Sequence, residues 1–176
     1  MPYLKLTKKL QKRLGSKFIS NSFRPASNTV SILGDWIATF VTANRKPYLL
    51  FLNEKTLINV LIDYSPKETM IERFLNEMRN ILAELNVNTS AIEKELKAYD
   101  DIGLLENKNK VNTGYLVESA KAALFYIYDY LYEKGYFDLK EVQDKLNYNP
   151  HVKTEFCWSE EYIQTLFNVD PKLRKF

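Results

Sequence analysis

The stretch WIATFVTANRKPYLLFLNEKTLINVLID, residues 36–63, decides the fold class. Three apolar runs, 36–43, 48–52 and 57–62, are separated by two polar clusters, Asn44-Arg45-Lys46 and Asn53-Glu54-Lys55-Thr56. Runs of this length, separated by short polar gaps, match strands joined by hairpin connections of roughly three to five residues. The first run alternates two mixed sets, with Trp36, Ala38 and Phe40 on one side and Ile37, Thr39 and Val41 on the other. The second is apolar at every position, so it belongs in the sheet interior with both faces covered. Pro47 has no amide hydrogen to donate to a ladder and fits the start of that strand. The stretch therefore predicts a three-stranded antiparallel meander.

Upstream, Tyr3-Leu4-Lys5-Leu6 alternates and predicts a short strand. Thr7 is placed to cap a helix carrying Leu10 and Leu14, with Gly15 as its left-handed stop. Residues 16–31 are polar, with Pro25 and several Ser and Asn, and predict a loop. Downstream, Ser65-Pro66-Lys67-Glu68 predicts a capping box with proline at the first helical position. Ile71, Phe74, Leu75, Met78, Leu82 and Leu85 follow at helical spacings of three and four. Ser90 to Glu93 predicts a second capping box, residues 102–105 a further strand, and Asp138 to Glu141 a third box opening a helix to Leu146. Asn112 is the expected cap of a long helix over 113–134, stopped by Gly135. Its core stripe is Ala120, Ala123, Leu124, Ile127 and Leu131, while five tyrosines spread round the other faces, which marks a buried or interface helix. Ser159 is expected to cap a last short helix to Phe167, after an irregular segment 150–158 and before a tail at 173–176.

The sum is α+β: one domain over residues 1–176, with a small, mostly antiparallel sheet (N-terminal strand plus meander) covered by five to six helices. A chain of this length buries about 70% of its unfolded surface and needs no covalent or metal staple. Hydrophobic residues make up 45% and charged residues 27%, an ordinary soluble composition. The sequence holds one cysteine, Cys157, and one histidine, His151, which excludes an intrachain disulfide and a His/Cys zinc site within one chain. No metal and no cofactor is expected. The basic N-terminus lacks the apolar segment of a signal peptide, and no apolar run approaches the ~20 residues of a membrane span, so a cytoplasmic protein without a membrane partner is expected.

The net charge of +3 hides an asymmetry. Seven of the 25 basic residues precede Asp35, the first acidic one, leaving 18 basic against 22 acidic residues in the remainder. The N-terminal segment thus predicts a positive patch on a mildly acidic body. Lys8, Lys9, Lys12 and Arg13 flank Leu10 and Leu14 on the first helix. They read either as a solvated helix face or as contacts to phosphates. The polar clusters of the meander likewise read as solvated turns or as a site. Successive turns of a meander point to opposite ends of the sheet, so Asn44-Arg45 and Asn53-Lys55 are not expected to meet. The tyrosines and Trp36 read first as core. His151 with Cys157 carries no nucleophile signature, Asp100-Asp101 carries no cation-loop motif, and no phosphate-binding or hydrolase motif is present. Catalytic residues are therefore left unassigned.

Four short motifs in order carry a family resemblance: Leu6-Thr7-Lys8-Lys9-Leu10, Leu33-Gly34-Asp35-Trp36-Ile37-Ala38-Thr39, Ala43-Asn44-Arg45-Lys46 and Asn53-Glu54-Lys55-Thr56. Together with the helix that follows, they resemble the DUF6933 family of small bacterial proteins, which also occurs attached to plasmid pRiA4b ORF-3-like proteins. The resemblance implies a plasmid or phage setting and no particular activity. It departs from the family pattern where Leu6 replaces a cysteine and Ile37 a frequent histidine, and where residues 108–113 only echo a K-x-x-x-R-S element. It singles out Thr7, Trp36, Asn44, Arg45, Asn53 and Thr56. The reading that results is a non-catalytic binding module, with nucleic acid or a protein as partner, through Thr7, Lys8, Lys9, Lys12, Arg13, Trp36, Asn44, Arg45, Asn53 and Thr56. A nucleic-acid-acting enzyme or toxin and a protein-binding counter-defence factor are the alternatives. Oligomeric state is not readable.

Overall fold

The computed structural model describes residues 2–15, 30–100, 102–148 and 158–170. Five strands, β1 (Tyr3–Leu6), β2 (Trp36–Ala43), β3 (Lys46–Asn53), β4 (Asn59–Asp63) and β5 (Gly103–Glu106), form one sheet in the order β4-β3-β2-β1-β5. The described helices are α1 (Lys8–Leu14), α2 (Met70–Glu84), α3 (Thr89–Lys97), α4 (Lys110–Lys134), α5 (Leu139–Asn147) and α6 (Ser159–Leu166). This is the α+β class the sequence predicts.

The sheet is mixed. The meander is antiparallel, with Trp36 opposite Asn53 and Tyr48 opposite Asp63. β1 adds two parallel pairings, to β2 (Leu4 opposite Trp36) and to β5 (Leu4 opposite Leu104). The parallel direction follows from connectivity, because the chain leaves β1 through α1 and returns to β2 heading the same way, a crossover rather than a hairpin.

Helices cover both faces. Trp36, Ala38, Phe40, Leu49 and Phe51 pack with α1, α2, α3 and α6, while Ile37, Val41, Tyr48, Leu50 and Leu52 pack with α4 and α5. From Tyr48 to Leu52 β3 is apolar and buried, because neither face of its central part sees water. On the first face Phe74 of α2 is the hub. Its ring meets Trp36 edge-on at 5.0 Å and stacks on Phe51 at 4.5 Å. The free edge of β4 is closed by α5. The side-chain oxygens of Asn147 and Gln143 accept from the Asn59 and Leu61 amides at 2.7 and 2.8 Å, and the Asn147 amide donates to the Asn59 carbonyl at 3.0 Å. Two side chains four apart on one helix face thereby act as a sixth strand and block edge-to-edge pairing.

Several helix starts differ from expectation. Residues 67–69 form a 3-10 turn, and α2 opens at Met70 without a side-chain cap bond. The tight turn takes up the first amides, and Arg73 reaches back to the carbonyls of Tyr64 and Pro66 at 3.3 and 2.6 Å. Asn88, not Ser90, caps α3, and Asn109, not Asn112, caps α4. In both cases an asparagine further upstream has the extended backbone that capping needs, which leaves Ser90 and Asn112 inside the first turn. The cap position of α6 is Trp158, one residue before Ser159, and the Ser159 hydroxyl is buried without a hydrogen-bond partner among the described residues. The Asp138 cap and the left-handed Gly135 stop are as predicted, with φ +77° at Gly135, but the Glu141 carboxylate of the expected box pairs with Lys134 instead. Residues 16–29 of the expected loop, the segment 149–157 with His151 and Cys157, Asp101, and residues 171–176, which include the expected tail, lie outside the described residues.

Candidate functional site

The two ends of the sheet carry different chemistry. At one end β1 runs into α1, and β2 turns into β3. Thr7 sits between them: its amide donates to the Ala38 carbonyl at 3.0 Å, its hydroxyl lies 3.1 Å from that of Thr39, and it caps Leu10 at 3.4 Å. Leu10 and Leu14 anchor α1 in the core, so Lys8, Lys9, Lys12 and Arg13 must face water, and all four are exposed. Lys12 and Arg13 in the last turn also complement the helix dipole.

Phe40 of β2 organises this patch. The Lys9 ammonium lies 4.3 Å and the Arg13 guanidinium 4.6 Å from its ring centre, and Arg13 is also 5.0 Å from the Tyr64 ring. The aromatic faces attract the charged groups themselves, which fixes where these two side chains sit on the surface. Lys8 reaches Glu106 at 3.7 Å, but with 86% of its side chain exposed that contact holds little energy. Lys9, Lys12, Arg13, Arg45 and Lys46 take part in no ion pair among the described residues.

Arg45 belongs to the same end. Ala43 pairs with Lys46, so Asn44-Arg45 is a two-residue loop rather than the longer connection expected. Both loop residues have positive φ, +46° and +63°. That is the turn favoured by Asn-Gly, because it matches the twist of the strands. Asn44 suits the first position. Arg45 occupies the position where glycine would be unstrained.

The opposite end is a closed polar network. Lys5 projects between Asp35, at 2.7 Å, and Glu54. Asp35 also accepts from the Tyr3 amide at 2.9 Å, and Glu54 accepts from the Asn112 side chain at 3.1 Å. Burial opposes the Lys5 charge, but hydrogen bonds to the two carboxylates outweigh it and raise the Lys5 pKa above its ordinary value. Beneath it, Asn53 accepts from the Thr56 amide and hydroxyl at 2.8 and 3.0 Å and donates to the Leu33 and Asp35 carbonyls at 3.1 and 3.2 Å. A third network fixes the irregular segment that leads into β2. Buried Glu95 accepts from the amides of Ile32 and Leu33 at 2.8 and 3.0 Å, and Tyr99 donates to the Gly34 carbonyl at 2.8 Å while accepting from Trp36 Nε1 at 3.0 Å. Burial pushes the Tyr99 phenol up, so it keeps the proton it donates.

The structure therefore divides the predicted site residues. Thr7, Lys8, Lys9, Lys12 and Arg13 group at the start and along the length of α1, level with Thr39 and Phe40 of β2, while Asn44 and Arg45 form the hairpin turn beyond the end of that strand; no hydrogen bond or ion pair joins the two groups among the described residues. Asn53 and Thr56 lie at the other end and are fully buried, as is Trp36, so these three hold the scaffold and present no surface to a ligand. The two polar clusters of the meander do stay apart, as its topology requires. Lys5, Asp35, Glu54, Glu95 and Tyr99 join the account from the structure alone. Asp35 and Glu54 are the acidic members of two motifs, which was the available signal, but their common partner Lys5 is 30 and 49 positions away in sequence.

Among curated proteins, none matches this sequence. The family model described as a domain of unknown function, DUF6933, matches residues 3–162, a span that takes in both ends of the sheet and every described helix through the first half of α6. The chain belongs to the DUF6933 family.

Proposed function

We propose that this chain is a non-catalytic binding module that grips the phosphate backbone of nucleic acid with the basic end of its sheet. Lys8, Lys9, Lys12 and Arg13 supply the main contacts, and Arg45 with Lys46 extends them from the neighbouring hairpin. The observation that carries the reading is Arg45: an exposed arginine without an ion pair among the described residues, held at φ +63° where glycine would be easier. Backbone strain retained at an exposed loop points to use of the side chain. Support also comes from Phe40 and Tyr64, whose rings are covered by cations and so are not open to stacked bases. Recognition is then by charge, independent of sequence. The cytoplasm, and the plasmid or phage setting implied by the resemblance, are compatible places for such a module.

The test is fluorescence anisotropy with labelled duplex DNA and RNA at low salt. Replacing Lys8, Lys9, Lys12 and Arg13 together by Gln removes about four phosphate contacts, and a loss of affinity of at least tenfold is expected. Unchanged affinity in a folded variant overturns the reading, and divalent-dependent cleavage of the probe replaces it with the enzyme alternative.

A further inference from the structure

We propose that the outer face of α4 is a self-association surface, on which a second copy of this chain lays its own α4 antiparallel. This inference is independent of the nucleic-acid reading. Val111, Val117, Phe125, Tyr128 and Tyr132 are exposed on this one helix, with Tyr132 at 93% and Phe125 at 65%. The opposite face of the same helix is buried in the core through Leu116, Ala123 and Ile127. A helix that is apolar on both sides has two surfaces to cover, and the fold covers one.

The arrangement of the exposed residues fits a copy of itself. Gly114 and Tyr132 are 18 positions apart, about five turns of helix or ~27 Å, and so lie on one line. Their midpoint is position 123. Lys121 and Phe125 share that midpoint, and Val117 and Tyr128 share it to within half a residue. A two-fold axis at that level places Tyr132 of each chain over Gly114 of the other, and Lys121 against the other Phe125 ring. Nothing approaches the position of a Gly114 side chain within 4 Å, so no packing inside the chain asks for glycine there. A glycine inside a helix costs up to ~1 kcal/mol. The second copy's tyrosine gives it a reason.

The area is sufficient. With aromatic side chains of about 200 Å², the exposed parts of Phe125, Tyr128 and Tyr132 leave about 400 Å². Val111 and Val117 bring the patch to roughly 500–600 Å², near the share each partner contributes at the lower end of stable interfaces. An interface of this size suits a weak dimer, because area alone does not set affinity. The same symmetry brings Glu118, which is paired with Lys121 at 2.9 Å, towards Asp129 of the second copy at the rim. Added salt screens that repulsion, so it leaves the dimer intact or tightens it, the reverse of its effect on phosphate binding.

Sedimentation velocity of the full chain over about 1–100 µM is expected to show a monomer–dimer equilibrium. Tyr132→Glu and Phe125→Glu are expected to give folded monomers whose melting matches the wild type at concentrations too low for the dimer. In a Cys157→Ser background, Gly114→Cys chains mixed with Tyr132→Cys chains should form a disulfide between the two variants, while neither variant cross-links with itself. A monomer throughout the range overturns the proposal. So does a dimer that survives both glutamates, or self-cross-linking of either cysteine variant, which reports a parallel pairing.

Discussion

Arg45→Gly is predicted to stabilise the protein and weaken its binding, and the two signs together make the test. Arg45 is exposed, has φ +63° and takes part in no ion pair among the described residues. The flanking register, Ala43 opposite Lys46, leaves Asn44 and Arg45 as the whole loop. A side chain at this φ costs up to ~1 kcal/mol relative to glycine, offset in part by the extra freedom glycine has in the unfolded chain. The net gain is about 0.5 kcal/mol, which in a domain of this size raises Tm by roughly 1–2 °C. The same change removes one of about six cations at the basic end. The slope of log affinity against log salt should fall by about 0.9 for duplex DNA, with affinity down several-fold. Differential scanning calorimetry reads the first effect and anisotropy titrations the second. A variant that is less stable than wild type, or that binds as before, refutes the assignment of Arg45 to function at the cost of loop strain.

Lys5→Met leaves Asp35 and Glu54 facing each other without a counterion, and with Lys5 only 21% exposed the expected loss is about 2 kcal/mol in urea unfolding. Because the folded pKa of Lys5 lies above 10.5, its contribution is complete below that value and is lost as pH rises through the folded value, so the stability deficit of Lys5→Met should be constant from pH 6 to 9 and shrink only in strong alkali. Glu95→Ala strips the acceptor from the Ile32 and Leu33 amides and is expected to cost about 3 kcal/mol, read as a lower urea midpoint. Gln143→Leu with Asn147→Leu exposes unpaired groups on β4; a loss of about 2–4 kcal/mol and concentration-dependent aggregation are expected, by unfolding and light scattering.

The meander was legible because its runs alternate or stay apolar in the way that covered sheets require, and Pro47 and the polar clusters fix where each run stops. The fifth strand was legible as well. The parallel pairing of β1 was not, since alternation in Tyr3–Leu6 says nothing about strand direction, which is set by the crossover through α1. Helix starts were misplaced where Asn88 and Asn109 compete with a serine or asparagine two or three positions on. Local sequence favours both positions, and tertiary packing chooses between them. The basic face of α1 was legible from the spacing of Leu10 and Leu14. The Lys5 network was not, because it closes only when residues from β1, the approach to β2, the turn after β3 and α4 are folded together. The burial of Asn53 and Thr56 was hidden for the same reason: polar turn residues look solvated until a neighbouring loop is laid over them.

Affinity for duplex DNA as a function of salt concentration tests phosphate recognition most directly. With Lys8, Lys9, Lys12, Arg13, Arg45 and Lys46 as the available cations, log affinity is predicted to fall linearly with log salt, with a slope between about −3 and −5. A slope near zero, or no binding at the lowest salt by a folded chain, contradicts it.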